Sequence, residues 1–99
     1  MVGYTTAKAA ILGLNQTLAR ELGEYGIRVN CVVPGAINTP RQQALWRSPQ
    51  ADEEIARMQA INIDLQGRDV AAMALFVASD DARGCTAAQF IVDAGIRFN

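Results

Sequence analysis

Tyr4 and Lys8 stand four positions apart near the start of the chain, in Tyr4-Thr-Thr-Ala-Lys8. On a helix, residues i and i+4 share a face, so the phenol and the ammonium would point the same way. A phenol titrates near 10, and a phenolate that works near neutrality needs about 4 kcal/mol of stabilisation. One positive charge at about 4 Å supplies roughly 1 kcal/mol in bulk water and about 4 kcal/mol at the effective dielectric of a protein site. The pair can therefore exchange a proton with a substrate, provided that the site is shielded from water. Taken alone, the same spacing also describes a surface pair with the lysine stem lying on the ring.

Other chemistries find little footing. The chain contains no histidine, which excludes a His-based triad and, with Cys31 and Cys85 far apart, argues against a zinc site or any other metal centre. The two cysteines are expected to be reduced thiols in a cytoplasmic protein. Nine basic residues against ten acidic ones, for a net charge of −1, form no basic patch. Nucleic acid and anionic lipid are therefore not expected as partners. No apolar run approaches the roughly 20 residues of a membrane span. Lys8 falls too late for a signal peptide, and Asn15 and Gln16 interrupt the apolar stretch Ala9–Leu14. The 51% hydrophobic and 19% charged composition is that of one small globular domain.

The elements that must position Tyr4 and Lys8 follow from periodicity. Ala7, Ala10, Ile11, Leu14, Leu18 and Leu22 recur in steps of three and four, one face of a helix that ends between Gly23 and Gly26. Gly13, costly inside a helix, is expected to permit close packing. Arg28–Val33 reads as a strand buried on both faces, the habit of a parallel sheet, and Pro34-Gly35 ends it. Residues 36–66 are polar and irregular, and read as a lid or binding loop. Within them Ser48-Pro49 is an N-cap and first position of a short helix, and another helical turn is expected around 41–47. Asp69–Ser79 is a further helix, with Val70, Met73, Ala74 and Val77 on one face. Asp80–Thr86 is a turn region, and Gln89–Asp93 is a second strand. Helix, strand, lid, helix, strand is one end of an α/β sheet, with a right-handed crossover between parallel strands. Two strands alone do not complete such a sheet.

The ordered set Tyr4-x-x-x-Lys8, Arg28-Val-Asn-Cys-Val-Val-Pro-Gly35, Ile37 and Thr39, Asp69-Val-Ala, Leu75-Phe-Val-Ala-Ser-Asp80, Cys85-Thr86 and Phe90-Ile-Val-Asp-Ala-Gly95 resembles the C-terminal part of the short-chain dehydrogenase/reductase family. The likeness covers essentially the whole chain and is weakest over 40–66. It implies the end of a Rossmann-type doubly wound parallel sheet, a partial NAD(P)-binding domain over 1–99 with a substrate lid at about 36–66. By the same resemblance, Tyr4 is the general acid/base, and Lys8 both lowers the tyrosine pKa and binds the nicotinamide ribose. Pro34, Gly35, Ile37 and Thr39 form the turn that meets NAD or NADP. Trp46, Arg41 and Arg47 are candidates to face a small alcohol or carbonyl substrate, with Trp46 equally an anchor holding the lid down. The phrasing of 85–95 is similar to members acting on sugars, polyols and other small secondary alcohols. The intact family member is expected to be a homo-oligomer.

Departures from the family pattern accompany the likeness. The Gly-rich phosphate turn, the residue that sorts NAD from NADP and the catalytic serine all precede the tyrosine in the family, whereas Met1 stands three residues ahead of Tyr4. Ala94 occupies a glycine position. The 99-residue chain is therefore expected to be a fragment with little or no activity alone. The alternative is a non-catalytic product acting only as an interaction or interfering module.

Overall fold

The computed structural model describes residues 1–96, so positions 97–99 of the expected domain lie outside the described residues. Helix α1 spans Val2–Leu22 and passes into a 3-10 turn at Gly23–Tyr25, after which Gly26 takes φ 73. Strand β1 is Cys31–Pro34; α2 is Pro40–Leu45; α3 is Pro49–Met58; α4 is Gly67–Ala78; and β2 is Gln89–Val92. The chain divides into two compact units, Met1–Cys31 with Phe76–Phe90, and Val32–Leu75 with Ile91 onward.

The two strands form the sheet, and their register is parallel. The Cys31 N–H donates to the Ala88 carbonyl at 2.9 Å and the Gly35 N–H to the Val92 carbonyl at 2.9 Å, so donor and acceptor advance together along the chain. The strand begins three residues later than the apolar run suggests because Arg28, Val29 and Asn30 spend their polar groups elsewhere. In the first unit the Arg28 guanidinium donates to the carbonyls of Val77 (2.9 Å), Ser79 (3.2 Å) and Cys85 (3.3 Å). It thus closes the carbonyl end of α4 with a positive charge, which also suits the helix dipole. The Val29 N–H donates to Thr86 Oγ1, and Asn30 bridges backbone groups of Cys85 and Ala88.

Only part of the apolar face of α1 is covered. Asn15 and Ala19 are buried, and Leu18 and Leu22 are half-buried, whereas Ile11 is 47% and Leu14 55% exposed. The expectation that this whole face is core is corrected. The helix of 21 residues is about 31 Å long, and the first unit covers only its C-terminal half. Gly13 is corrected too, since a Cβ built there meets nothing within 4 Å. Close packing does not explain it, and Gly13→Ala is expected to stabilise the helix by about 0.5–1 kcal/mol, read as a higher urea midpoint at unchanged slope.

In the second unit the lid contains two capped helices. Thr39 Oγ1 accepts from the Gln42 N–H at 3.2 Å to open α2, and Ser48 Oγ accepts from the Ala51 N–H at 3.1 Å to open α3, with proline in the first turn of each. α4 opens two residues earlier than its apolar periodicity marks. Asp69 reaches back to accept from the Gln66 N–H at 2.7 Å, the returning half of a capping box. After β2, the Ala94 carbonyl accepts from the N–H groups of Ala60 and Ile61 at 2.8 and 3.1 Å. Ala94 itself has φ 55, a left-handed conformation that a glycine would take without the cost of a Cβ.

Candidate active site

α1 sets Tyr4 and Lys8 one turn apart, on the same face, as the spacing predicts. The Lys8 Nζ lies over the tyrosine ring, 5.5 Å from its centroid. This is a cation–π arrangement, the surface pairing that the bare spacing also allows. Tyr4 is 61% exposed.

Pro34, Gly35, Ile37 and Thr39 belong to the second unit. Pro34 ends β1 and is exposed. Gly35 has a packing reason to be glycine. A Cβ there would stand 2.6 Å from Asp93 Cβ and 2.8 Å from Asp93 Cα, so the missing side chain makes room for the turn after β2. The half-buried Ile37 is held by its neighbours. The Ala36 carbonyl accepts from Arg47 Nη2 at 3.3 Å, and the Asn38 N–H donates to the Leu65 carbonyl at 2.8 Å. The Asn38 side chain donates to Asp64 at 2.9 Å and accepts from Gln43 at 2.7 Å. Thr39 spends an oxygen lone pair on the α2 cap and keeps its O–H as a donor.

Of the lid candidates, Arg41 is exposed and Trp46 is 67% exposed. Arg47 is turned inward. Its side chain is 5% exposed, and Nη1 lies 2.9 Å from Asp52 Oδ1 and 3.9 Å from Asp64 Oδ1. Asn38, Asp64 and Arg47 thus brace the segment holding Ile37 and Thr39. Sequence reasoning missed this brace, because its members are spread over 27 positions without a repeat that links them.

A strand–helix–strand unit with parallel pairing and a Tyr–Lys turn on its leading helix defines an α/β protein containing part of a Rossmann-type sheet. A family model described as enoyl-(acyl carrier protein) reductase matches residues 1–97. The chain belongs to the short-chain dehydrogenase/reductase family. It is 46% identical over 97 residues to D-xylose 1-dehydrogenase of Caulobacter vibrioides, covering 98% of this chain and 39% of that protein. It is 38% identical over 93 residues to (3R)-3-hydroxyacyl-CoA dehydrogenase of Mus musculus, covering 94% of this chain and 35% of that one. Among solved structures, 4-hydroxyisoleucine dehydrogenase complexed with NADH matches with a TM-score of 0.89 at 28% identity, over 96% of this chain and 39% of that one. The chain thus spans well under half the length of these relatives. No helix among the described residues is long and apolar enough to cross a membrane.

Proposed function

We propose that this chain carries the proton-transfer part of an NAD(P)-dependent dehydrogenase that interconverts a small secondary alcohol, of sugar or polyol type, with its carbonyl compound. The observation that carries the reading is Tyr4 and Lys8 on one helical turn within a chain 46% identical to D-xylose 1-dehydrogenase. Tyr4 exchanges the proton of the substrate hydroxyl. Lys8 stabilises the phenolate and binds the nucleotide ribose, while Ile37 and Thr39 hold the nicotinamide side. The nucleotide, when bound, supplies or takes the hydride. Residues 36–66 close over the substrate.

The exposure of Tyr4 sets a condition on this chemistry. The pair needs a low-dielectric enclosure, which further polypeptide and bound nucleotide would build. The 99-residue chain by itself is expected to show no turnover and no saturable quenching in an NADH fluorescence titration. Residues 2–96, placed in the matching segment of the Caulobacter enzyme, are expected to yield D-xylose-dependent NAD(P)H formation. In that chimera Tyr4→Phe should lower kcat by about 100- to 10,000-fold, the range for loss of a general acid/base. A folded chimera whose activity survives Tyr4→Phe would sink the reading.

A second reading, a non-catalytic interaction or interfering module, is favoured by the exposed apolar stretch of α1 at Ile11 and Leu14. It predicts self-association, or capture of intact relatives, by the 99-residue chain in size-exclusion chromatography. A clean monomer that ignores those relatives would dismiss it.

A further inference from the structure

Asn15 is 3% exposed and sits on the covered face of α1. Its Nδ2 donates to the Ala88 carbonyl at 3.3 Å. That carbonyl also accepts from the N–H of Cys31, the first residue of β1, at 2.9 Å. The Ala88 N–H in turn donates to Asn30 Oδ1 at 3.1 Å. Asn15 is thus tied to the point where the two strands come together, and all of these groups lie in the first unit. Among the described residues, this is the one side-chain hydrogen bond from α1 to another element.

Stability does not account for this amide. Its Oδ1 is buried and accepts no hydrogen bond among the described residues. One long bond to an acceptor already engaged is set against a buried oxygen left without a donor. Leucine is close to asparagine in size, forms helix more readily and would leave no orphan there. What the amide adds over leucine is direction. Apolar contact tolerates a range of helix rotations, whereas a hydrogen bond needs its donor aimed at one acceptor.

Direction matters because of what shares this face. At about 100° per residue, Asn15 projects within about 20° of both Tyr4 and Lys8. It stands about 10 Å along the axis from Lys8 and about 16 Å from Tyr4. α1 is one uninterrupted helix from Val2 to Leu22, so a rotation set at Asn15 is carried to both. Side chains reach about 6 Å from a helix axis, so a turn of about 10° moves them by about 1 Å. A displacement of that size at a reacting group can cost about 100-fold in rate.

We propose that Asn15 is the positioning residue of the Tyr4–Lys8 pair. Its bond to Ala88 fixes the rotation of α1 about its own axis, and with it the direction in which the phenol and the ammonium point. The consequence for rate rests on the proton-transfer role proposed above; the rotation does not.

The rotation is read from residual dipolar couplings of the ¹⁵N-labelled 99-residue chain in a weakly aligning medium. Along a helix the amide couplings oscillate with the helical period, and the phase of that wave gives the rotation about the axis. Asn15→Leu is expected to shift the phase over α1 by at least about 10° against the amides of 76–90, or to flatten the wave. The urea midpoint should stay level or rise. An unchanged wave overturns the proposal. Asn15→Ala repeats the measurement without added bulk. Loss of the dispersed spectrum in both variants also overturns it, because the amide is then a stability element.

In the chimera with the Caulobacter enzyme, Asn15→Leu should lower kcat at least about tenfold and change the KM for D-xylose less than about twofold, the split of a group that acts in the transition state. In a Tyr4→Phe background the loss should shrink to less than about threefold, since there is no hydroxyl left to misaim. An equal loss in both backgrounds overturns the proposal. A folded chimera with no activity sinks the proton-transfer reading instead, and the couplings of the 99-residue chain then decide on Asn15 alone.

Discussion

Gly35→Ala is expected to be a strongly damaging small substitution. The added methyl would sit 2.6 Å from Asp93 Cβ and 2.8 Å from Asp93 Cα, and it would approach the Asp93 carbonyl carbon at 3.5 Å. Two of these three atoms are backbone, so no rotamer change relieves the overlap. The strand ends cannot separate freely either, since the Gly35 N–H donates to the Val92 carbonyl at 2.9 Å. Overpacking of a tight site costs about 1–3 kcal/mol, and more where backbone must move. A loss of about 3 kcal/mol is expected here, which lowers Tm by about 12–24 °C in a domain of this size. A thermal melt followed by circular dichroism reads it, and a Tm within about 4 °C of the parent would contradict the packing account. The same measurement bears on what Gly35 is for. The family likeness places it beside the nucleotide, whereas the contact with Asp93 acts with no nucleotide present.

The second large effect belongs to Arg28. Its guanidinium gathers three carbonyls, from Val77, Ser79 and Cys85, of which two are at the carbonyl end of α4. Hydrogen bonds made by a charged group contribute about 1.5–3 kcal/mol each, and less where water reaches the acceptors. Arg28→Met keeps most of the apolar stem and removes all three bonds, for an expected loss of about 3 kcal/mol in urea unfolding. Arg28→Lys restores the charge but not the planar fork that reaches several acceptors at once. It should recover no more than about half. If methionine and lysine are equally harmless, Arg28 is not the closure of α4.

Much of the fold was legible in local pattern. The caps at Ser48 and the turn at Gly26 follow from residue chemistry alone, and so does the four-residue spacing that puts Tyr4 and Lys8 on one face. Periodicity identified which side of α1 is apolar. It carries no information on whether anything covers that side, which is why Ile11 and Leu14 read as core and stand exposed. Arg28 and Asn30 looked like the start of a strand, because their hydrogen-bond partners lie 49 to 58 positions away and no window contains both ends. At the candidate site, Arg47 read as a residue facing substrate. Its burial depends on Asp52, Asp64 and the Ala36 carbonyl converging on it, and only the folded backbone of the lid arranges that.

The parallel pairing of β1 with β2 also sets how this chain must fold in time. The contacts from Arg28 and Asn30 close loops of 49 to 58 residues, and every residue of the lid lies inside them. Helices α1, α2 and α3 need only neighbours and form early on the timescale of helix nucleation. The strand pair must wait for a distant chain encounter, which makes that encounter the slow step. Closure entropy grows only with the logarithm of loop length, so doubling the loop would add about 0.6 kcal/mol. The lid is consequently free to lengthen, shorten or change sequence at little kinetic cost, while the residues that meet across the closure, Arg28 to Gly35 and Val77 to Asp93, are not.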